Sequence, residues 1–240
     1  MSQSSQTVRE EDVNNKARDL VRFFLASTGR KAPIKRNEIV EKVMKDMSRA
    51  FNLTMEKAKT IMTNTFGLSI VTLEEPNKSF CVMNQIELDT DHLHLEWGET
   101  ENQQSALLMI LFSIIFMAGE RIQDEILWKA LKKMGVDFEK TNHEIFGDVK
   151  KLVTTEFVQQ GYLLYKKIPD TDPPKHEFLW GPRAYAITSK EDVLSFVCQI
   201  YGEMDMFDWP QQYDSIHGEG AAAAAKVQQL NGATNQMEVD

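Results

Sequence analysis

Apolar residues recur along this chain at helical spacing, in blocks separated by Gly, Pro and charged residues. Val13, Ala17, Leu20, Val21, Phe24 and Leu25 share one helical face, and Gly29 closes that helix. "KAPIKR" (31–36) predicts a short extended piece, since Pro33 turns Ala32 away from helical geometry. Asn37 is placed to cap a second helix, with Ile39, Val40, Val43, Met44 and Met47 inward. Thr54 is placed to cap a third, with Ala58, Ile61, Met62, Thr65 and Phe66 inward and Gly67 as its stop. Two β-type runs, "LSIVTL" and "SFCVMNQI", follow around the turn-like "EEPNK".

The same order repeats from about Gln104. An apolar helix runs to Ala118, and Gly119 and a short extended "ERIQ" follow. Asp124 can cap a helix bearing Ile126, Leu127, Ala130, Leu131 and Met134, closed by Gly135. Asp148 can cap the next, with Val149, Leu152, Val153 and Phe157 on one face. "YLLYKKI", the turn "PDTDPPK" and "HEFLW" complete the copy. A terminal helix from Ser189 places Val193, Leu194, Phe196, Val197, Ile200, Tyr201 and Met204 on a broad apolar face.

Each copy reads helix, short strand, helix, helix, hairpin, which is the order of a winged-helix domain. The expected fold is mainly α with small β-hairpins: two winged-helix domains in tandem, 12–86 and 104–217, joined by a linker at 87–103. Residues 1–11 and 218–240 lack a periodic apolar face and are expected to be disordered tails.

"HEFLWGPRAY" (176–185) sets three large apolar residues beside a chain breaker and a cation. Strand alternation puts Phe178 and Trp180 on one side and Leu179 on the other. A strand apolar on both faces is covered on both. The expected covers are the domain's own three helices and either the sister domain or the final helix. Pro182 ends the pairing, because it has no N–H for the ladder. Arg183 is then left at a rim, able to meet an acid or an anion.

Composition narrows the function. Hydrophobic residues make up 42% of the 240, enough for real cores. Cys81 and Cys198 lie far apart with no CxxC, which fits free thiols in a reducing compartment. "MSQSSQTVREED" has no apolar leader core. The longest apolar run, Ala106–Ala118, is too short to span a bilayer, so no membrane is expected as a partner. The net charge of −9 disfavours nucleic acid, yet it is unevenly spread. Residues 12–84 carry 13 Lys/Arg against 8 Asp/Glu, a net of +5; residues 85–101 carry six acids and no Lys/Arg; residues 102–217 carry 12 against 17. No phosphate-binding Gly-rich loop or nucleophile motif is present, so neither an enzyme nor a cofactor is expected. His92 and His94 form an H-x-H in the acidic linker, without further Cys or His at zinc spacing.

"EFLWGPRA" resembles the signature of the MAGE homology domain. The likeness continues through "FGDVKKLVTTEFVQQGYLLYKKIPDTDPPKHEFLWGPRAYAITS" and back to "VRFFLAST", "PIKRNEI" and "ALLMILFSIIFMAGERI", covering about residues 12–217. "DWPQQY" (208–213) looks like the tail found in the MAGE-type subunits of the SMC five-six complex (structural maintenance of chromosomes). The resemblance implies a tandem winged-helix fold and a non-catalytic, nuclear scaffold. It implies a RING-type subunit bound by the first domain, a kleisin subunit bound by the second, and sequence-tolerant contact with double-stranded DNA. An adaptor that stimulates a RING ubiquitin ligase outside that complex is the alternative, and a sequence-specific transcription regulator is a third reading.

Carried onto this chain, the RING-binding pair of the family falls on Phe24 and Leu25, where the family usually has Leu-Leu. Both residues equally suit the core of the first domain. Kleisin binding is placed on Leu194, Phe196 and Val197 of the terminal helix, which also suit packing within their own domain. The DNA candidates are Lys132 and Lys133 at the end of one helix, Lys150 and Lys151 at the start of the next, and Lys166 and Lys167 on the wing. Arg30, Lys31, Lys35 and Arg36 form a second basic cluster, in the first domain.

Overall fold

The computed structural model describes residues 9–73, 78–86, 98–139, 142–202, 204–226 and 228. The acidic H-x-H segment and most of the expected linker lie outside these residues. The chain divides into two compact units, Met1–Glu96 with the short segment Gln159–Gly161, and Trp97–Val158 with Tyr162–Asp240.

The first unit contains α1 (Glu10–Ala26), β1 (Ile34–Lys35), α2 (Arg36–Lys42), a 3-10 turn (Ser48–Ala50), α3 (Phe51–Phe66), β2 (Leu68–Leu73) and β3 (Ser79–Asn84). Its antiparallel sheet has the order β1-β3-β2. Leu20, Phe24, Ile39, Met44, Met62 and Phe80 build one core, with Phe24 edge-on to Phe80 at 6.4 Å. Two caps differ from expectation. Helix α3 starts at Phe51 rather than at Thr54, because Phe51 is drawn into the core beside Phe80 (6.1 Å). Thr54 is buried instead, and its hydroxyl donates to the Ala50 carbonyl at 2.9 Å. Helix α2 starts at Arg36, so Asn37 sits inside its first turn. Phe66, expected inward, is exposed at the end of α3. Gly67 does close α3, with φ of 62°, and a side chain there would strike Ile86.

The second unit contains α4 (Glu99–Met117), β4 (Arg121–Gln123) and α5 (Asp124–Lys133). A continuous helical stretch follows: α6 (Val149–Lys151), a π-helical segment (Leu152–Glu156) and α7 (Phe157–Gln159). Then come β5 (Leu163–Lys167), β6 (His176–Trp180), α8 (Ala184–Ile187), α9 (Lys190–Tyr201), a 3-10 turn (Met206–Asp208) and α10 (Pro210–His217). The sheet order is β4-β6-β5, antiparallel throughout. Each unit is therefore a winged helix, and the whole is mainly α with β-hairpins. None of the described helices is long and apolar enough to cross a membrane.

Phe178 and Trp180 enter the second core with Phe112, Phe116 and Phe157. The Trp180 indole N–H donates to the Phe112 carbonyl at 3.1 Å, which satisfies the one polar group of a buried ring. Asp148 caps α6 as its position predicts, accepting from the Lys151 N–H. Asp124 is the first residue of α5 and does not cap it; its carboxylate accepts from the Tyr165 hydroxyl at 3.1 Å. Burial, with that bond second, pushes the Tyr165 phenol up to about 12.

Ser189 and Asp192 form a reciprocal capping box on α9. The Ser189 hydroxyl and N–H both donate to the Asp192 carboxylate and hold its pKa below the usual range. Ser189→Ala is expected to cost about 1 kcal/mol in urea unfolding at neutral pH. A lowered carboxylate pKa contributes stability above its unfolded value and loses it as pH falls through the folded one. The Ser189→Ala deficit should therefore shrink below about pH 4.

Two expected tails are partly ordered. Helix α1 starts at Glu10. Residues 221–226 are helical, and Ala222 is buried. The Ala222 N–H donates to Asp214 at 2.8 Å, and Lys226 pairs with Asp208 at 3.2 Å. The polyalanine run thus packs against α10, a partner that local periodicity does not reveal. Helix α4 also begins ahead of the expected residue 104, within the stretch read as linker.

Candidate interaction surfaces

Helix α1 carries three consecutive large apolar residues, about 100° apart around its axis, so they cannot all point inward. Phe24 points straight in and is 0% exposed. Phe23 and Leu25 flank it and remain half-buried at the surface. Phe24 therefore stands here as a core residue, and Leu25 is the member of the expected pair that a partner can reach.

Helix α9 is turned differently from expectation. Leu194 is 0% exposed and Val197 4%, both within the unit's own core, and Phe196 alone of the three is half-buried. Ile200 and Tyr201, read as part of the broad apolar face, are 64% and 65% exposed. The helix packs on α4 with its Val193/Leu194/Val197/Cys198 face, and in its last turn Tyr201 lies edge-on to Trp209 at 5.5 Å.

Leu179 answers the question its strand raised. Register pairs Arg121, Leu179 and Leu164 across the three strands, and this row shares the outer sheet face. Beyond it lies a polar row of Gln123, Glu177 and Lys166. The outer face is not sealed by packing. Leu164 and Leu179 are half-buried and form the floor of a cleft of about 510 Å³, with Gln211, Gln212 and Ser215 of α10 as the facing wall. The Gln212 amide donates to the Met117 carbonyl at 3.1 Å, which ties that wall to the end of α4. At the rim, Glu120 pairs with Lys190 at 2.5 Å. Glu120 has φ of 69°, a left-handed backbone unusual for a non-Gly residue. Its N–H donates to Ile115 O, closing α4 in a Schellman-like turn. Tyr185 lines the same rim; burial, then Glu120, raises its pKa.

The structure does not gather the expected DNA lysines into one equivalent set. Lys132 pairs with Glu139 at 2.8 Å, and Lys151 with Glu156 at 3.6 Å. Lys166 stands opposite Glu177 in the sheet. Lys133, Lys150 and Lys167 are exposed. In the first unit Arg30 pairs with Glu38, and the Arg36 guanidinium lies over the Phe51 ring at 4.1 Å. The Arg183 guanidinium lies over Tyr162 at 4.7 Å, so the expected rim cation packs on an aromatic face of its own unit. Sequence reading missed the cleft, because its floor and its far wall are separated by the whole of α8 and α9. The one available signal was Leu179 itself, apolar on the face for which the sister domain or the final helix was the expected cover.

The profile of the MAGE homology domain matches residues 20–190. The chain belongs to the MAGE homology domain family. This MAGE-family chain is 37% identical over 204 residues to the human "Non-structural maintenance of chromosomes element 3 homolog", covering 85% of this chain and 66% of that protein. It is 36% identical over 214 residues to human "Melanoma-associated antigen D2", covering 89% of this chain but 34% of that one. The MAGE-family chain thus spans about a third of the antigen's length. Among solved structures it is similar to a chain of an "Nse1-Nse3-Nse4 complex", with a TM-score of 0.77 and 33% identity over 86% of this chain and 98% of that one.

Proposed function

We propose that this protein is a non-catalytic scaffold subunit of an SMC five-six chromosome maintenance complex, acting in the nucleus. The carrying observation is the likeness to a chain of the Nse1-Nse3-Nse4 complex, nearly all of which this chain covers. In this reading the first unit holds a RING-type subunit through the α1 surface around Leu25. The second unit holds a kleisin subunit, with Phe196 on α9 and the α10 cleft as its accessible apolar surfaces. Such a role needs binding surfaces and no reacting group, which suits two small winged helices.

Affinity purification of the full chain followed by mass spectrometry tests the reading. Stoichiometric kleisin and SMC proteins support it. A RING ligase recovered without them would instead favour the adaptor reading, which the likeness to melanoma-associated antigen D2 keeps in view.

Duplex DNA is the third partner proposed, through the exposed lysines of the second unit. Contacts of this kind go to phosphates and are independent of sequence. Replacing Lys150 and Lys151 by Ala should weaken binding to random duplex. It should also flatten the log–log salt dependence by roughly 2, at about 0.9 for each phosphate left without its lysine. A gel shift with no binding at low salt would remove DNA from the partner set.

A further inference from the structure

The cleft under α10 has a charge pattern as well as an apolar floor. Its volume, about 510 Å³, takes a few side chains of a partner segment and no more. Its polar lining is nearly all committed internally. Glu120 is engaged by Lys190. The Gln212 amide is spent on the Met117 carbonyl. The Ser215 hydroxyl donates to the Gln212 carbonyl at 2.7 Å. Arg121 is different: it is exposed, it lines the cleft, and it makes no ion pair among the described residues. Register sets it beside Leu179 and, one strand further, Leu164. The neighbouring charges on that sheet face, Lys166 and Glu177, stand opposite each other in the next row.

We propose that the segment seated in this cleft is acidic and apolar, with an apolar side chain on Leu164 and Leu179 and, next to it, a carboxylate on the Arg121 guanidinium. This rests on the cleft reading given above and specifies its ligand. A guanidinium presents a planar fork that matches a carboxylate in two parallel hydrogen bonds. A segment lying over the leucines also excludes water from that pair, which strengthens it. A basic segment would bring a cation against Arg121 and is rejected by the same geometry. Phosphate is the other anion an arginine favours. The apolar floor, however, has nothing to offer a nucleic acid backbone.

The test is titration calorimetry of the full chain with the recombinant kleisin subunit at two salt concentrations. Arg121→Glu should lower affinity by about ten-fold or more. Arg121→Gln should lower it less, and both should flatten its salt dependence. A gel shift on random duplex should be unchanged by either. Leu164→Glu, one strand further from Arg121 than Leu179, reports on the floor, and Leu179→Glu, directly opposite Arg121, is the second floor variant. If Leu179→Glu abolishes binding while Arg121→Glu binds as the wild type does, the carboxylate assignment is overturned and the cleft reading stands. If the floor variants bind as the wild type does, the cleft reading fails and this inference fails with it. If Arg121→Glu weakens the duplex gel shift and leaves kleisin binding intact, the rim is a phosphate contact and the proposal is wrong.

Discussion

Phe24→Ala will destabilise the first unit by about 3–5 kcal/mol, whereas Leu25→Asp will leave it folded and remove RING-subunit binding. The two residues are adjacent, and the sequence treats them alike. Phe24 is 0% exposed, touches Phe80 and Phe23 edge-on, and sits among Leu20, Ile39 and Met62. Truncation deletes a whole ring from a closed core, and the cavity adds to the lost transfer energy. A domain of this size has about 5–15 kcal/mol in total, so the loss will show as a large drop in urea midpoint. Leu25 is half-buried, and an aspartate there keeps access to water. Binding measured by co-purification with the RING-type subunit should fall to background for Leu25→Asp. If Phe24→Ala instead leaves the midpoint unchanged, Phe24 is a surface residue in solution and the packing described for α1 is wrong. If a folded Leu25→Asp still binds, the RING surface lies elsewhere.

Leu179→Glu will lower kleisin affinity by about 2 kcal/mol or more, roughly thirty-fold, with little change in thermal midpoint. Leu179 is flanked in sequence by two core residues, Phe178 and Trp180, yet it points the other way. It contributes floor area to the cleft and little to the core. A carboxylate at that position faces solvent in the free protein, so the fold tolerates it. In the complex the same charge lies beneath the partner's apolar side chain, takes the Arg121 guanidinium opposite it away from the proposed carboxylate, and repels the acidic segment. Calorimetry and a melting curve on one preparation check both halves. A collapse in midpoint would show that the outer face is sealed core after all.

Much of the architecture was legible in the sequence because it is written in short-range spacing. The positions of α1, α5 and α9 follow from apolar residues three and four apart. Asp148 caps the helix it was expected to cap, and Ser189, expected as the start of the terminal helix, caps that one, since a cap depends on a hydroxyl or carboxylate beside the first turn. Asp124 and Thr54 did not: Asp124 opens α5 itself, its carboxylate shared between the Glu125 N–H and the Tyr165 hydroxyl, and Phe80 draws in Phe51 and so extends α3 past Thr54. The surroundings of the candidate interaction residues are not written in spacing. Leu194 and Val197 look like any other apolar stripe until α4 is laid against them. Lys132 and Lys151 have carboxylates beside them, Glu139 and Glu156, that spacing along the chain does not show.

By itself the sequence determined the order of helices and hairpins, the doubling of that order, and membership of the MAGE homology domain family, whose profile matches residues 20–190. These rest on residues close together in the chain, where spacing dictates which face an apolar side chain joins. Only the tertiary structure decided which apolar residues stay outside. Leu25 beside Phe24, Ile200 beside Val197 and Leu179 beside Phe178 are separated by what covers them, and the cover comes from elements far away in sequence. The cleft exists because α10 returns across a sheet face laid down by Arg121, Leu164 and Leu179, a meeting that no local pattern encodes.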